Sequence, residues 1–114
     1  MSRHVWIVFH SSMSDTDIVG LADDAERGKL IAEAAYKQWY SRGEQRLRTN
    51  RLGEWTMNEY TSDPDDPSHW YADVKEIVKH QGGSTELDYA RYIVERYEVA
   101  DKLSLSEYLQ ASDN

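Results

Sequence analysis

Leu87-Asp88-Tyr89-Ala90-Arg91-Tyr92-Ile93-Val94-Glu95-Arg96-Tyr97-Glu98-Val99 fits two periods, and the choice between them sets the fold. Leu87, Ala90, Val94 and Tyr97 recur at helical spacing, and Thr85 can cap a helix with Asp88 at N3. Ile93, Tyr97 and Val99 fit a strand, and Tyr92-Ile93-Val94 is β-prone. The reading taken is a helix over 85–102, with the strand as the alternative. Its neighbours point the same way. Asp73 can cap a short helix, with Glu76 at N3 and Gly82-Gly83 as its stop. Ser104-Leu105-Ser106-Glu107 has the capping-box pattern of a short terminal helix. Residues 75–114 are therefore expected to form an acidic, mainly helical C-terminal extension.

Working back toward the N-terminus, the pattern becomes clearer. Val5-Trp6-Ile7-Val8-Phe9 is apolar at every position, which predicts a central strand buried on both faces. Ser11 to Asp17 is polar and turn-like. Ile18-Val19-Gly20-Leu21 then predicts a second strand returning as a hairpin. A helix of about five turns is expected over 24–41. Asp23 or Asp24 caps it, Leu30, Ile31, Ala34, Ala35 and Trp39 form its apolar stripe, and Gly43 stops it. Gly28 is a blemish in its first turns. Leu52 to Thr61 alternates Trp55, Met57 and Glu59 with Thr56, Asn58 and Tyr60, which predicts a third, less buried strand. Ser62-Asp63-Pro64-Asp65-Asp66-Pro67-Ser68 ends it, because proline cannot continue a ladder. The expected fold class is α+β. A small antiparallel or mixed sheet carries one long packed helix, as a β-β-α-β core over 4–74, followed by the helical extension.

The chain has 114 residues, which suits a single domain with its own core. It contains no cysteine, which excludes a disulfide framework, a cysteine zinc site and a thiol nucleophile. The longest aliphatic and aromatic run, Val5 to Phe9, is far shorter than the roughly 20 residues of a membrane span. A cytoplasmic location is expected.

The formal charge of −8 is unevenly placed. Residues 1–51 hold seven acids against eight bases, and residues 52–114 hold 14 acids against five bases. Arg42, Arg46, Arg48 and Arg51 cluster after the helix. They read first as a solvated linker and, alternatively, as guanidinium forks for a phosphate or carboxylate, joined by His10. Trp6, Phe9, Trp39 and Trp55 are expected in the core. Trp70, Tyr71, Tyr89, Tyr92 and Tyr97 are harder to bury together in a small domain, and Asp88, Glu95, Glu98 and Asp101 lie among them. Tyrosine offers rigid contact area and a hydroxyl, so this region reads as an acidic, tyrosine-rich contact surface.

Motifs for chemistry are sparse. No G-x-S-x-G elbow, H-E-x-x-H helix, G-x-G-x-x-G turn or Walker lysine occurs. Asp63, Asp65, Asp66 and His69 are the best candidate cation ligands, but the glycine and distant glutamate of a calcium loop are missing, and a solvated turn is preferred. No metal or other cofactor is expected. His10, at the end of the first strand, has Ser11, Ser12, Asp15 and Asp17 nearby. They make a Ser-His-Asp set only on paper, since such sets are defined by geometry. The sequence pI near 4.9 opposes direct binding to nucleic acid. Paired helices over 85–111 would suggest a helix-turn-helix, but Ser106 to Asn114 holds two acids and no base.

Four stretches together carry a resemblance: Val5 to Ser11, the helix with Ala34-Ala35, Glu54 to Asp63, and Ser68 to Val74. They resemble a small domain family of unknown function associated with phages and bacterial accessory genes. The resemblance covers roughly residues 4–74 and implies a β-β-α-β core. It carries over no catalytic residues.

The function expected is a non-catalytic protein-interaction module, a phage or prophage accessory protein that inhibits or masks a basic, nucleic-acid-handling protein. Its contact residues would be Asp63, Asp65, Asp66, Trp70, Tyr71, Tyr89, Tyr92, Glu95, Tyr97 and Glu98. One alternative is a small anion- or nucleotide-binding domain using the arginines of 42–51 with His10. Another is a phage structural or assembly protein, which would form a homo-oligomer.

Overall fold

A computed structural model describes residues 3–13, 15–40 and 50–99. Strand β1 (Arg3–Ser12) pairs antiparallel with β2 (Thr16–Ala22), and helix α1 (Ala25–Tyr40) follows. Two short strands, β3 (Asn50–Leu52) and β4 (Thr56–Met57), precede the long strands β5 (His69–His80) and β6 (Gly83–Val99). All pairings are antiparallel, in the order β2-β1-β6-β5-β3, with β4 also on β5. The sheet curls as a half-barrel around one face of α1.

This overturns the expected α+β fold with its helical C-terminal extension. Residues 69–99 are a β-hairpin, and β6 runs through the middle of the sheet between β1 and β5. The helical set Leu87, Ala90, Val94 and Tyr97 is split between the two sheet faces. Ala90, Tyr92 and Val94 instead alternate onto the helix-covered face, where each is buried. Burying a valine-sized side chain is worth roughly 1.5–3 kcal/mol. Helix propensity separates ordinary residues by at most about 0.7 kcal/mol, so packing decides. Gly82-Gly83 does not stop a helix but turns the hairpin, where Gly83 adopts φ +135, a conformation side chains disfavour. The terminal helix expected after Ser104 lies outside the described residues.

The first half matches its reading more closely. Strand β1 is buried on both faces, with Trp6 and Val8 under the helix and Val5 and Ile7 on the other side. The β1–β2 hairpin forms as expected. Helix α1 starts at Asp24, whose Oδ1 accepts the Arg27 N–H at 2.7 Å, so Asp24 rather than Asp23 is the cap. Its buried face is Gly28, Ala32, Tyr36 and Tyr40, flanked by Ile31 and Ala35. Leu30 and Trp39, placed on the apolar stripe, are 63% and 51% exposed. Gly28 is no blemish. A Cβ there would lie 2.6 Å from Val94 Cγ1, so its lack of a side chain lets the helix approach β6.

The single strand expected over 52–61 is two short ones. The chain breaks from the ladder at Gly53, whose N–H donates to the Asp73 carbonyl at 2.8 Å. Bulges at Val19 and Tyr89, each an extra residue against its partner strand, add local twist. Beyond Glu76 and before Ala90, β5 and β6 pair only with each other, so the hairpin projects as a two-stranded arm. Arg51 reaches over its base to clasp Glu86 at 2.8 and 2.7 Å.

Candidate functional site: an acidic loop and an aromatic cleft

Residues 58–68 connect β4 to β5 and fold back on themselves. Asn58 opens the turn: its N–H donates to the His69 carbonyl, and its carbonyl accepts from Thr61 and Ser62. Its side-chain oxygen takes the Tyr60 N–H at 3.0 Å. Asp63 does the same for Asp65, and Asp63 and Asp66 bridge through their backbones. The Ser62 hydroxyl accepts from the Ser68 N–H at 3.1 Å. Arg96 of β6 then clamps Asp66 through two bonds of 2.8 and 2.9 Å, which hold the Asp66 carboxyl below its ordinary pKa. The prolines and aspartates thus close a loop braced from both sides.

On this loop Tyr60 is 98% exposed. Glu59, Asp63 and Asp65 are also exposed, and none has an ion-pair partner among the described residues. Tyr60 is absent from the contact residues named from sequence. The alternation of 52–61 made it look like one more strand position, whereas Asn58, two residues earlier, is a turn former that signals its release.

The other named contact residues are dispersed. Trp70 faces α1, half-buried, with the Lys29 ammonium 3.7 Å from its ring centroid. Tyr92 is buried in the core, and burial pushes its hydroxyl pKa well up. Tyr89 sits on a bulge, edge-on to Tyr40. Tyr71 lies on the opposite sheet face under the Arg91 guanidinium, which also pairs with Asp73 at 2.7 Å. Glu95 accepts from the Tyr97 hydroxyl and meets His69 Nδ1 at 2.9 Å. Glu98 meets His4 at 3.5 Å. So Asp63, Asp65 and Asp66 share one loop, and the remaining seven divide between the two faces of the sheet. Three of the four candidate cation ligands are already engaged. Asp63 caps a turn, Asp66 holds Arg96 and His69 holds Glu95.

A second feature lies between the C-terminal half of α1 and the β1–β2 hairpin. It is a cleft of about 280 Å³ lined by His10, Asp17, Val19, Trp39 and Tyr92, with Ala35 and Gln38 of the helix. His10 Nε2 meets the Tyr40 hydroxyl at 3.1 Å, and its ring stands edge-on to Tyr92 at 4.9 Å. Tyr40 stacks on Tyr36, whose hydroxyl donates to Asn50 Oδ1 at 2.6 Å. Burial lowers the His10 pKa, and the Asp17 charge only partly opposes it. The imidazole is neutral at pH 7. The paper set of Ser11, Ser12 and His10 does not assemble. Ser11 bonds Thr16, Ser12 bonds the Asp15 carbonyl, and the histidine's bond goes to Tyr40. Arg51, the described member of the arginine cluster, lies on β3, two strands beyond β6 from β1, and is clasped to Glu86. Arg42, Arg46 and Arg48 lie outside the described residues.

Comparison with protein-family models, with curated proteins and with solved structures finds no match. Among the described residues, no three metal-ligating side chains gather in one place, and no helix is long and apolar enough to cross a membrane.

Proposed function

We propose that this chain is a non-catalytic interaction module of the cytoplasm that engages a basic surface on another protein through loop 58–68. The observation that carries the reading is Tyr60, held fully exposed on a braced loop beside three acids that form no ion pair among the described residues. An exposed tyrosine gains much from burial and gives up little rotamer freedom. A loop already hydrogen-bonded in place gives up little backbone freedom on binding. Glu59, Asp63 and Asp65 attract a basic partner and steer its approach. The net charge of −8 acts in the same sense at longer range. Masking a nucleic-acid-handling protein is the role such a surface suits, since its partner's binding face is basic.

The tagged protein should retain a basic partner from cell lysate at low salt and release it at about 1 M salt, where the Debye length is only about 3 Å. Tyr60→Ala should cut retention at least tenfold, an interface anchor being worth upward of about 2 kcal/mol. Asp63→Lys with Asp65→Lys should abolish it. Retention that ignores both salt and these substitutions contradicts the reading.

A further inference from the structure

Asp17 and His10 face each other in register across the β1–β2 hairpin, so both side chains project to the same side of the sheet. That side is the cleft under the last turns of α1. Its walls are Trp39 on the helix, Tyr92 at the floor and the bulged Val19 on the edge strand. A volume of about 280 Å³ lies at the lower limit of small-molecule sites, roughly 300–1,000 Å³. It admits a ligand of one ring and a short arm, not a nucleotide. Among the described residues the charge in the cleft is one-sided. Asp17 is exposed and forms no ion pair with a lysine or arginine among the described residues. His10 is neutral, already tied through Nε2 to Tyr40, and so does not cancel it. A carboxylate beside the exposed ring of Trp39 recognises positive charge, because aromatic faces and carboxylates both attract cations. The same acid repels the phosphate or carboxylate that an arginine site would take.

We infer that the cleft between α1 and the β1–β2 hairpin is a binding site for a compact organic cation, an arylalkyl amine, with Asp17 holding the ammonium and Trp39 flanking the ring above the buried Tyr92. The site lies on the helix-covered side of the sheet, lined by elements that loop 58–68 does not contribute to, so it stands independently of the protein-binding reading.

Benzylammonium serves as the probe, with benzyl alcohol and phenylacetate as its neutral and anionic counterparts. Each is titrated into the full ¹⁵N-labelled chain and followed by amide and indole chemical shifts. Benzylammonium should shift the Trp39 indole and the amides of His10 and Asp17, saturating at millimolar concentration or below. Benzyl alcohol should bind more weakly, and phenylacetate should not bind. Asp17→Asn should weaken benzylammonium about tenfold, the equivalent of 1.4 kcal/mol, and leave benzyl alcohol unchanged. Trp39→Ala, at a half-exposed position that the core does not need, should weaken both. The proposal fails if benzylammonium leaves these signals unmoved, if phenylacetate binds equally well, or if Asp17→Asn weakens the two benzyl probes alike.

Discussion

At position 28 a single missing side chain sets the distance between helix and sheet. Alanine there gains helix propensity of roughly 0.8–1 kcal/mol. It also drives a Cβ to 2.6 Å from Val94 Cγ1, with Val8 Cγ2 at 3.6 Å behind it. Val94 and Val8 are fully buried and have nowhere to retreat. Overpacking of this kind costs typically 1–3 kcal/mol, so the clash exceeds the gain. Gly28→Ala should lower stability by about 1 kcal/mol in urea unfolding, with the slope unchanged. A variant more stable than the parent would show that the helix is not pressed against β6. From sequence, the glycine could be seen only as a weak helix residue, because its partners are 20 and 66 positions away.

The elements differ in how legible they were, for physical reasons. The β1 strand, its hairpin and the helix bounds follow from local signals: an unbroken apolar run, a polar turn and an aspartate cap. The long hairpin of β5 and β6 does not. Its residues carry helical and strand periods together, and the choice rests on pairing with β1, more than 80 residues away at Trp6↔Arg96. The helix stripe was misplaced for a related reason. Trp39 is the most apolar-looking member of its turn, but the buried face is fixed by Gly28, Ala32, Tyr36 and Tyr40. Of the candidate contact residues, the three loop aspartates could be placed together from their spacing. The tyrosines could not be assigned faces until the strands were known. The projecting arm carries its own consequence. A two-stranded hairpin alone is marginal in water, and Val78 and Leu87 on it are exposed. Amides of 77–87 should therefore exchange hydrogen well before those of 69–74 and 90–96, measured by mass spectrometry or NMR. Equal protection along both strands would contradict the free-standing arm.

Taken as a whole, the molecule spends much of its charge internally. Arg96 holds Asp66, Arg91 holds Asp73, Lys75 holds Asp88 and Arg51 holds Glu86. These pairs cross between β6, β5, β3 and the loop, and they engage most of the bases of the second half. The acids they leave over include Glu59, Asp63 and Asp65, gathered around Tyr60. The negative charge is thus not a diffuse property of the surface. It has a local expression on a loop that is braced in place. We propose this loop as the contact face. A photoreactive phenylalanine derivative placed at position 60 tests it most directly, with the same group at exposed Leu30 on the helix as the comparison. Irradiated in cell lysate, the chain labelled at 60 should form a discrete adduct with a basic protein, lost at about 1 M salt. The chain labelled at 30 should not. Equal adducts from both positions, or an adduct from position 30 alone, would contradict the account.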